Sequence, residues 1–159
     1  MPVRVSWVRP ENIHLTLRFL GEIDDSHVEK IAAHLRKHLA GVESFSLRVR
    51  GVGVFPSAKS PSVLWVGAEP LDGSLRLVQA ATEAAAQTAG LKAEQRAFSP
   101  HLTLARVRDL VSVGAFSEIL SQHRDFDGGE IRVESVALFS STLTPHGAPY
   151  ACIKEFPLA

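Results

Sequence analysis

Cysteine is nearly absent. Cys152 is the only one in 159 residues, which excludes an internal disulfide framework and a multi-cysteine zinc site. A reducing, cytoplasmic setting is expected. Long apolar runs are missing too: no stretch approaches the ~20 residues of a membrane span, and the start, MPVRVSWVRPEN, lacks the apolar centre of a signal peptide. Neither export nor insertion is expected. Charge of one sign is not in excess, since 17 Lys+Arg face 17 Asp+Glu for a formal net charge of zero. That argues against coating long nucleic acid through bulk charge, but leaves open recognition of a single phosphate. With 45% hydrophobic and 21% charged residues, the chain is neither disordered, collagen-like nor a coiled coil. One domain over residues 1–159 is expected, burying roughly two-thirds of the surface its unfolded chain exposes.

What is present alternates between two periods. Residues 3 to 8 and 13 to 20 read as short strands about the turn Pro10-Glu11-Asn12. Asp24 and Asp25 precede Val28, Ile31, Ala32, Leu35 and Leu39, an apolar stripe at helical spacing that ends near Gly41. Residues 45 to 55 alternate again and 63 to 68 resume a strand, predicting a hairpin whose long tip is Pro56-Ser57-Ala58-Lys59-Ser60-Pro61. Gly51-Val52-Gly53 lies inside this pattern without the Gly-Lys-Ser/Thr of a phosphate loop, and marks a bulge. Asp72 or Ser74 caps a second helix, rich in alanine, that runs to about Thr88 and is closed by Gly90. Residues 101 to 107 read as a strand and 112 to 122 as a third helix, while 130 to 141 pairs with 149 to 156 around Thr144-Pro145-His146-Gly147. Two hairpin-like pairs need antiparallel neighbours, so the expected class is α+β rather than a doubly wound parallel sheet.

One tetrapeptide occurs twice, as His14-Leu15-Thr16-Leu17 and His101-Leu102-Thr103-Leu104. Along a strand, side chains alternate faces, so each His and Thr share one face about 7 Å apart while the leucines take the other. Each copy therefore offers an imidazole and a hydroxyl to one small anion, and two copies facing each other would surround it. A lone histidine on a strand is usually only a satisfied surface or core residue. Here both copies follow a turn with a nearby proline, Pro10 or Pro100, and basic residues lie close by (Arg9 and Arg18; Arg96, Arg106 and Arg108). Two such histidines suit proton transfer at both ends of a displacement at phosphorus. Imidazole titrates near pH ~6.5, so one can act as base while the other acts as acid. The Thr16 and Thr103 hydroxyls would donate to the nonbridging oxygens. No metal and no cofactor is required.

These motifs resemble those of the two-histidine phosphoesterases, and within them the 2'-5' RNA ligase-like enzymes, also called RNA 2',3'-cyclic phosphodiesterases. Trp7-Val8-Arg9-Pro10-Glu11-Asn12-Ile13-His14-Leu15-Thr16-Leu17-Arg18-Phe19-Leu20-Gly21-Glu22 is similar to the first motif block, and Phe98-Ser99-Pro100-His101-Leu102-Thr103-Leu104-Ala105-Arg106 to the second. Gly51-Val52-Gly53-Val54-Phe55-Pro56 with Val63-Leu64-Trp65-Val66-Gly67 resembles the central hairpin, and Leu138-Phe139-Ser140-Ser141-Thr142-Leu143 through Tyr150 the closing one. The resemblance implies two pseudo-symmetric lobes with mainly antiparallel sheets around a central cleft, helices outside, and each motif on a strand lining the cleft. It implies hydrolysis of RNA 2',3'-cyclic phosphate ends to 2'-phosphomonoesters. His14 would donate a proton to the departing 3'-oxygen and His101 would activate water. Thr16, Thr103 and an arginine corresponding to Arg106 would hold the phosphate. Reversible, ATP-independent 2'-5' joining of RNA is implied as a secondary activity. Family members also begin with an extra strand and helix; here Met1 lies six residues ahead of Trp7, so that pair is expected to be absent and a sheet edge left open to a partner.

Other features are read more plainly. His27, His34 and His38 fall on the solvent flank of the first helix, and the i, i+4 pair lacks a third metal ligand. Cys152 is expected to be buried and inert. His123 and His146 lie beside turns, with His146 a candidate for the cleft border. Residues 1 to 20 carry net +2 and 45 to 65 net +3, through Arg4, Arg9, Arg18, Arg48, Arg50 and Lys59 against Glu11, as a small RNA-end site requires. Lys59 and Phe55 are rim candidates. Phe55 or Trp65 could stack a base, although core packing is the commoner fate of strand aromatics. Two further readings stand beside the RNA-end hydrolase: a phosphodiesterase on a small nucleotide bearing a cyclic phosphate, and a non-catalytic RNA- or nucleotide-binding module. A monomer is expected, with no protein partner readable from the sequence.

Overall fold

The computed structural model describes residues 3–110, 112–142 and 150–159; the expected turn from Thr144 to Gly147, and with it His146, lies outside them. The chain runs β1 (Val3–Trp7), a 3-10 turn (Pro10–Asn12), α1 (Asp25–Leu39), β2 (Phe45–Ser57), β3 (Ser60–Pro70), α2 (Ser74–Thr88), β4 (His101–Leu110), α3 (Val113–Gln122), β5 (Asp127–Val133), β6 (Ser135–Ser141) and β7 (Tyr150–Pro157). Three helices and antiparallel pairings make it α+β, as expected. It forms two compact units, Met1–Thr16 with Leu47–Leu71 and Ser99–Ile131, and Leu17–Ser46 with Asp72–Phe98 and Arg132–Ala159.

The first unit is built on a five-stranded sheet in the order β1-β4-β3-β2-β5. Leu47, Val49, Val66, Ala68 and Ala105 are buried and, by their pairings, share one face of it. Val52 and Ala58 of the hairpin line a shallow cavity with Ser117, Leu120 and Ser121 of α3, which puts α3 on that same face. Gly51 is the predicted bulge: the register shifts between Arg50 and Val52, and Gly51 sits at φ +76°, where a Cβ is strained. The long hairpin tip is corrected. Pro56 pairs with Pro61 and Ser57 with Ser60, leaving Ala58-Lys59 as a two-residue tip. Serines do what the prolines cannot: Ser62 Oγ donates to Phe55 O at 3.1 Å, and Ser57 Oγ accepts from Ser60 N at 3.4 Å.

The second unit packs α1 against α2 and touches β7 with α1. Ile31, Ala32, Leu35 and Leu39 form the predicted stripe of α1, meeting a buried row on α2 that includes Leu75, Val78, Ala85 and Ala86. Asp24 caps α1 by accepting from His27 N at 3.0 Å, and this bond, with the His27 ring beside it, draws the Asp24 carboxyl down to about 2. His27 is thus a capping residue. His34 and His38 stack with ring centroids 4.1 Å apart, and burial together with the neighbouring His38 and Lys37 lowers the His34 pKa. For α2 the N-cap is Gly73, while Asp72 accepts from Ser74 N at 2.8 Å.

Three further expectations are corrected. Residues 130 to 141 are not one strand: β5 joins the five-stranded sheet and, beyond Glu134, β6 pairs with β7. The alternation changes phase there, Ile131 and Val133 against Val136 and Leu138, which is the trace a change of sheet leaves in a sequence. Residues 13 to 20 are not a strand either; Leu15 alone bridges, to Leu102. Cys152 is exposed rather than buried, because a register shift in the β6/β7 ladder sets it opposite Phe139, itself 51% exposed.

Candidate active site

The first unit contains both His-Leu-Thr-Leu motifs up to Thr16, and its sheet register decides which face each side chain takes. Along β3, Val63, Trp65 and Gly67 share one face, opposite the buried Val66 and Ala68. Directly opposed residues of an antiparallel pair point the same way. Gly67 opposes His101, Trp65 opposes Thr103 and Val63 opposes Arg106, so all three β4 residues stand on the face away from the core. Arg106 joins them although three positions separate it from Thr103. The register shifts between Leu64 and Trp65, so β4 holds Leu104 as an extra residue and its alternation is reset.

The first motif arrives on the same face through one contact. Leu15 bridges Leu102 in antiparallel sense, and Leu102 opposes the buried Val66, so the two leucines take the core face. His14 and Thr16, on either side of Leu15, take the other. Antiparallel counting from this bridge sets His14 beside Thr103 and Thr16 beside His101, with the two histidines on a diagonal of about 7–8 Å between Cα atoms. The motifs are therefore crossed.

Each imidazole is tied by the same local device. His14 Nδ1 lies 2.7 Å from Asn12 O and His101 Nδ1 lies 2.7 Å from Ser99 O, in each case the carbonyl two residues earlier. A carbonyl only accepts, so Nδ1 carries the hydrogen in both rings and Nε2 is the atom left for proton transfer. His14 is exposed and His101 half-buried. The Thr16 and Thr103 hydroxyls are half-buried and have no hydrogen-bond partner among the described residues. Arg106 is exposed, and no carboxylate pairs with it among the described residues. Two proton-transfer atoms, two hydroxyl donors and a guanidinium on one face match the needs of a phosphoryl group with a leaving oxygen.

The remaining candidates separate. Phe55, opposite Val63, shares this face, and its ring meets the His101 ring at 4.9 Å between centroids and 83° between planes. Lys59 is in the tight hairpin tip, four residues beyond Phe55, or about 13 Å of extended strand. The local basic charge shrinks on inspection. Arg4 pairs with Asp109 at 3.4 Å, Arg18 with Glu83 at 2.6 Å, Arg96 with Glu94 at 3.3 Å, and Arg48 with Asp127. Arg18 is an anchor and not a phosphate ligand: its side chain is 9% exposed and also donates to Phe19 O and Lys92 O. No cluster of three or more His, Cys, Asp or Glu suited to a metal occurs among the described residues. No helix among them is long and apolar enough to cross a membrane. The sequence reading missed the carbonyls of Asn12 and Ser99. Their signal is present in hindsight, a turn residue two places before each histidine, close to Pro10 or Pro100.

The chain is similar to known proteins over most of its length. The family model described as LigT-like phosphoesterase matches residues 2–65 and again 66–150. An RNA 2',3'-cyclic phosphodiesterase of Thermotoga maritima is 37% identical over 150 residues, 94% of this chain and 78% of its own. One of Aquifex aeolicus is 34% identical over 155 residues, 96% of this chain and 81% of its own. Among solved structures, one from Thermus thermophilus superposes with TM-score 0.79 at 29% identity, covering 97% of this chain and 82% of that one. Escherichia coli LigT complexed with 3'-AMP superposes with TM-score 0.76 at 23% identity, covering 99% and 82%, a likeness of fold.

Proposed function

We propose that this chain, which belongs to the LigT-like phosphoesterase family, hydrolyses 2',3'-cyclic phosphate at RNA ends to 2'-phosphomonoesters. The observation that carries the reading is the Leu15–Leu102 bridge, which crosses two His/Thr pairs on one sheet face while both Nδ1 atoms are held by backbone carbonyls. In the proposed reaction the oxygen of water attacks phosphorus and its proton passes to His101 Nε2. The bond from phosphorus to O3' breaks, and the His14 Nε2 proton goes to O3', leaving a 3'-hydroxyl and a 2'-phosphate. The Thr16 and Thr103 hydroxyls donate to the nonbridging oxygens, whose charge must be held as the transition state forms, and Arg106 adds a positive charge. No step needs a metal or a cofactor. With the 5'-hydroxyl of a second RNA in place of water, the same proton transfers join the two as a 2'-5' linkage without ATP. The 159 residues are taken as one catalytic domain, acting as a monomer in the cytoplasm.

The test is an RNA oligonucleotide ending in a 2',3'-cyclic phosphate, incubated with EDTA and wild-type, His14→Ala or His101→Ala protein. Conversion to the 2'-phosphate by wild type alone is expected. Conversion that needs added metal would remove the metal-free mechanism. Binding without conversion by wild type would point to a binding module, and conversion only of cyclic mononucleotides to a small-nucleotide substrate.

A further inference from the structure

We propose that Phe55 and Trp65 are positioning residues for His101, backing its imidazole from one side so that Nε2 keeps one direction. The catalytic half of this proposal rests on His101 being the proton acceptor argued above; the structural half does not. The Phe55 ring stands edge to face with the His101 ring at 4.9 Å, the Trp65 ring is 6.2 Å from it at 54°, and Phe55 and Trp65 lie 5.1 Å apart. All three separations fall in the range of aromatic pairs in contact. The bond from Nδ1 to Ser99 O alone leaves the imidazole a hinge, because the terminal torsion of histidine is broad. Two rings backing it from one side narrow that freedom, and a proton acceptor must be held close to its reacting geometry.

This backing has a cost that folding alone does not explain. Trp65 Nε1 is buried and has no acceptor among the described residues, a loss that phenylalanine at this position would not carry. The backbone makes room for the indole instead. Gly53 is directly opposite Trp65, and a Cβ there would come within 2.3 Å of Cζ2, 2.5 Å of Cη2 and 2.8 Å of Cε2. Gly53 is thus required by the indole and not by its own backbone angle. Gly67, two residues beyond Trp65 on the same face and opposite His101, is required by the backbone instead: Arg50 O lies 2.5 Å from where its Cβ would be, and Trp65 Cζ3 is in ordinary contact at 3.9 Å. The indole lies over Gly53 on β2, with its ring centre 6.2 Å from that of the imidazole.

The experiment compares wild type with Phe55→Leu, Gly53→Ala, the ring-retaining Phe55→Tyr, and Gly114→Ala, where a new Cβ meets nothing within 4 Å. Steady-state hydrolysis of the cyclic-phosphate RNA is measured alongside proton–carbon spectra of ring-labelled histidine, with His101 assigned by its loss in His101→Ala. Phe55→Leu and Gly53→Ala are expected to lower kcat ~10–100-fold with KM held within about threefold, while Phe55→Tyr and Gly114→Ala stay near wild type. In the same two impaired variants the His101 ring signals, displaced in wild type by the neighbouring ring currents, move towards those of ordinary histidine. Should Gly53→Ala not fold, Trp65→Leu, which removes the ring within the same space, replaces it. Folded variants with kcat unchanged, a loss confined to KM, or unmoved His101 signals overturn the proposal. If wild type does not open the cyclic phosphate, the functional reading falls and the ring signals alone decide whether the two rings position His101.

Discussion

Glu83→Gln is the perturbation for which the structure sets the size of the effect most directly. Arg18 donates through Nε to Glu83 Oε2 at 2.6 Å, with side chains 9% and 19% exposed, and through its other nitrogens to Phe19 O and Lys92 O at 2.5 Å each. Glu83 also accepts from Glu94 N and Gln87 Nε2, each at 3.0 Å. Burial pushes the Glu83 carboxyl up, but the Glu94 amide, Arg18 and Gln87 together outweigh it and hold the carboxyl below its ordinary value. Removing one partner of a fully buried pair costs about 3–5 kcal/mol, mostly by stranding the other charge. Partial exposure of Glu83, and the carbonyl partners Arg18 retains, scale this to about 2–3 kcal/mol. For a chain of this length that is a fall in Tm of roughly 4–12 °C, read by circular dichroism at neutral pH. The pH dependence fixes the cause. A carboxyl with a depressed folded pKa contributes stability that is full above its unfolded value, near ~4.3, and is lost as pH falls through the lower folded value. The gap between wild type and Glu83→Gln should therefore be flat from neutral pH down to that range and close below it. A gap under about 0.5 kcal/mol at neutral pH, or one that persists unchanged into strong acid, would refute the reasoning.

The other predictions concern the site and one helix cap. His14→Ala and His101→Ala should each lower kcat by about 10²–10⁴, and the double variant should fall little further, since the two act as a unit; multiplying losses in single-turnover assays would contradict this. Wild-type kcat/KM should follow a bell with pH, because one imidazole must be protonated while the other is neutral, and a monotonic profile would rule that out. Thr16→Val or Thr103→Val should cost about 10² in kcat, and Arg106→Ala about 10–100-fold in kcat/KM with partial recovery in Arg106→Lys. Asp24→Ala should lower Tm by removing the α1 cap, and the difference should be full above the ordinary carboxylate value and vanish as pH falls through about 2.

Much of the candidate site's arrangement was legible in the sequence because parity along a strand is local. His101 and Thr103 share a face whatever β4 pairs with, and the Leu15 bridge sets His14 and Thr16 in the same relation to each other. Arg106 was not legible that way: simple alternation puts it on the opposite face, and only the extra residue at Leu104 brings it round. The bulge arises in the β3/β4 ladder, between segments far apart in sequence, and residues 101 to 107 carry no glycine to announce it. Residues 13 to 20 fail in the other direction. Their composition suits a strand, but a strand is a pairing, and past Leu15 no ladder forms among the described residues. The carbonyls of Phe19 and Lys92 are met by the Arg18 guanidinium instead. Arg18 looked like one more positive charge beside a phosphate site because its neutralising partner lies far along the chain on α2, where Glu83 reads as an ordinary helix-surface acid.

The crossed arrangement also bears on why one residue type serves both proton transfers. An antiparallel bridge has a local two-fold axis, so identical tetrapeptides bridged at Leu15 and Leu102 place their histidines at equivalent points on either side of it. The matching Nδ1 bonds to Asn12 O and Ser99 O carry the equivalence into the rings themselves. In-line displacement at phosphorus has the same symmetry, with an entering and a departing oxygen on opposite sides, each needing a proton moved. On the proposed mechanism the two histidines then differ chiefly in which one holds the proton when the substrate binds. Joining puts a 5'-hydroxyl where hydrolysis has water and needs no new group, so hydrolysis and 2'-5' joining draw on one constellation. A variant that abolishes one reaction by removing either Nε2 must abolish the other; a His14 variant that joined RNA while failing to hydrolyse the cyclic phosphate would show that the symmetry of the bridge does not extend to the chemistry.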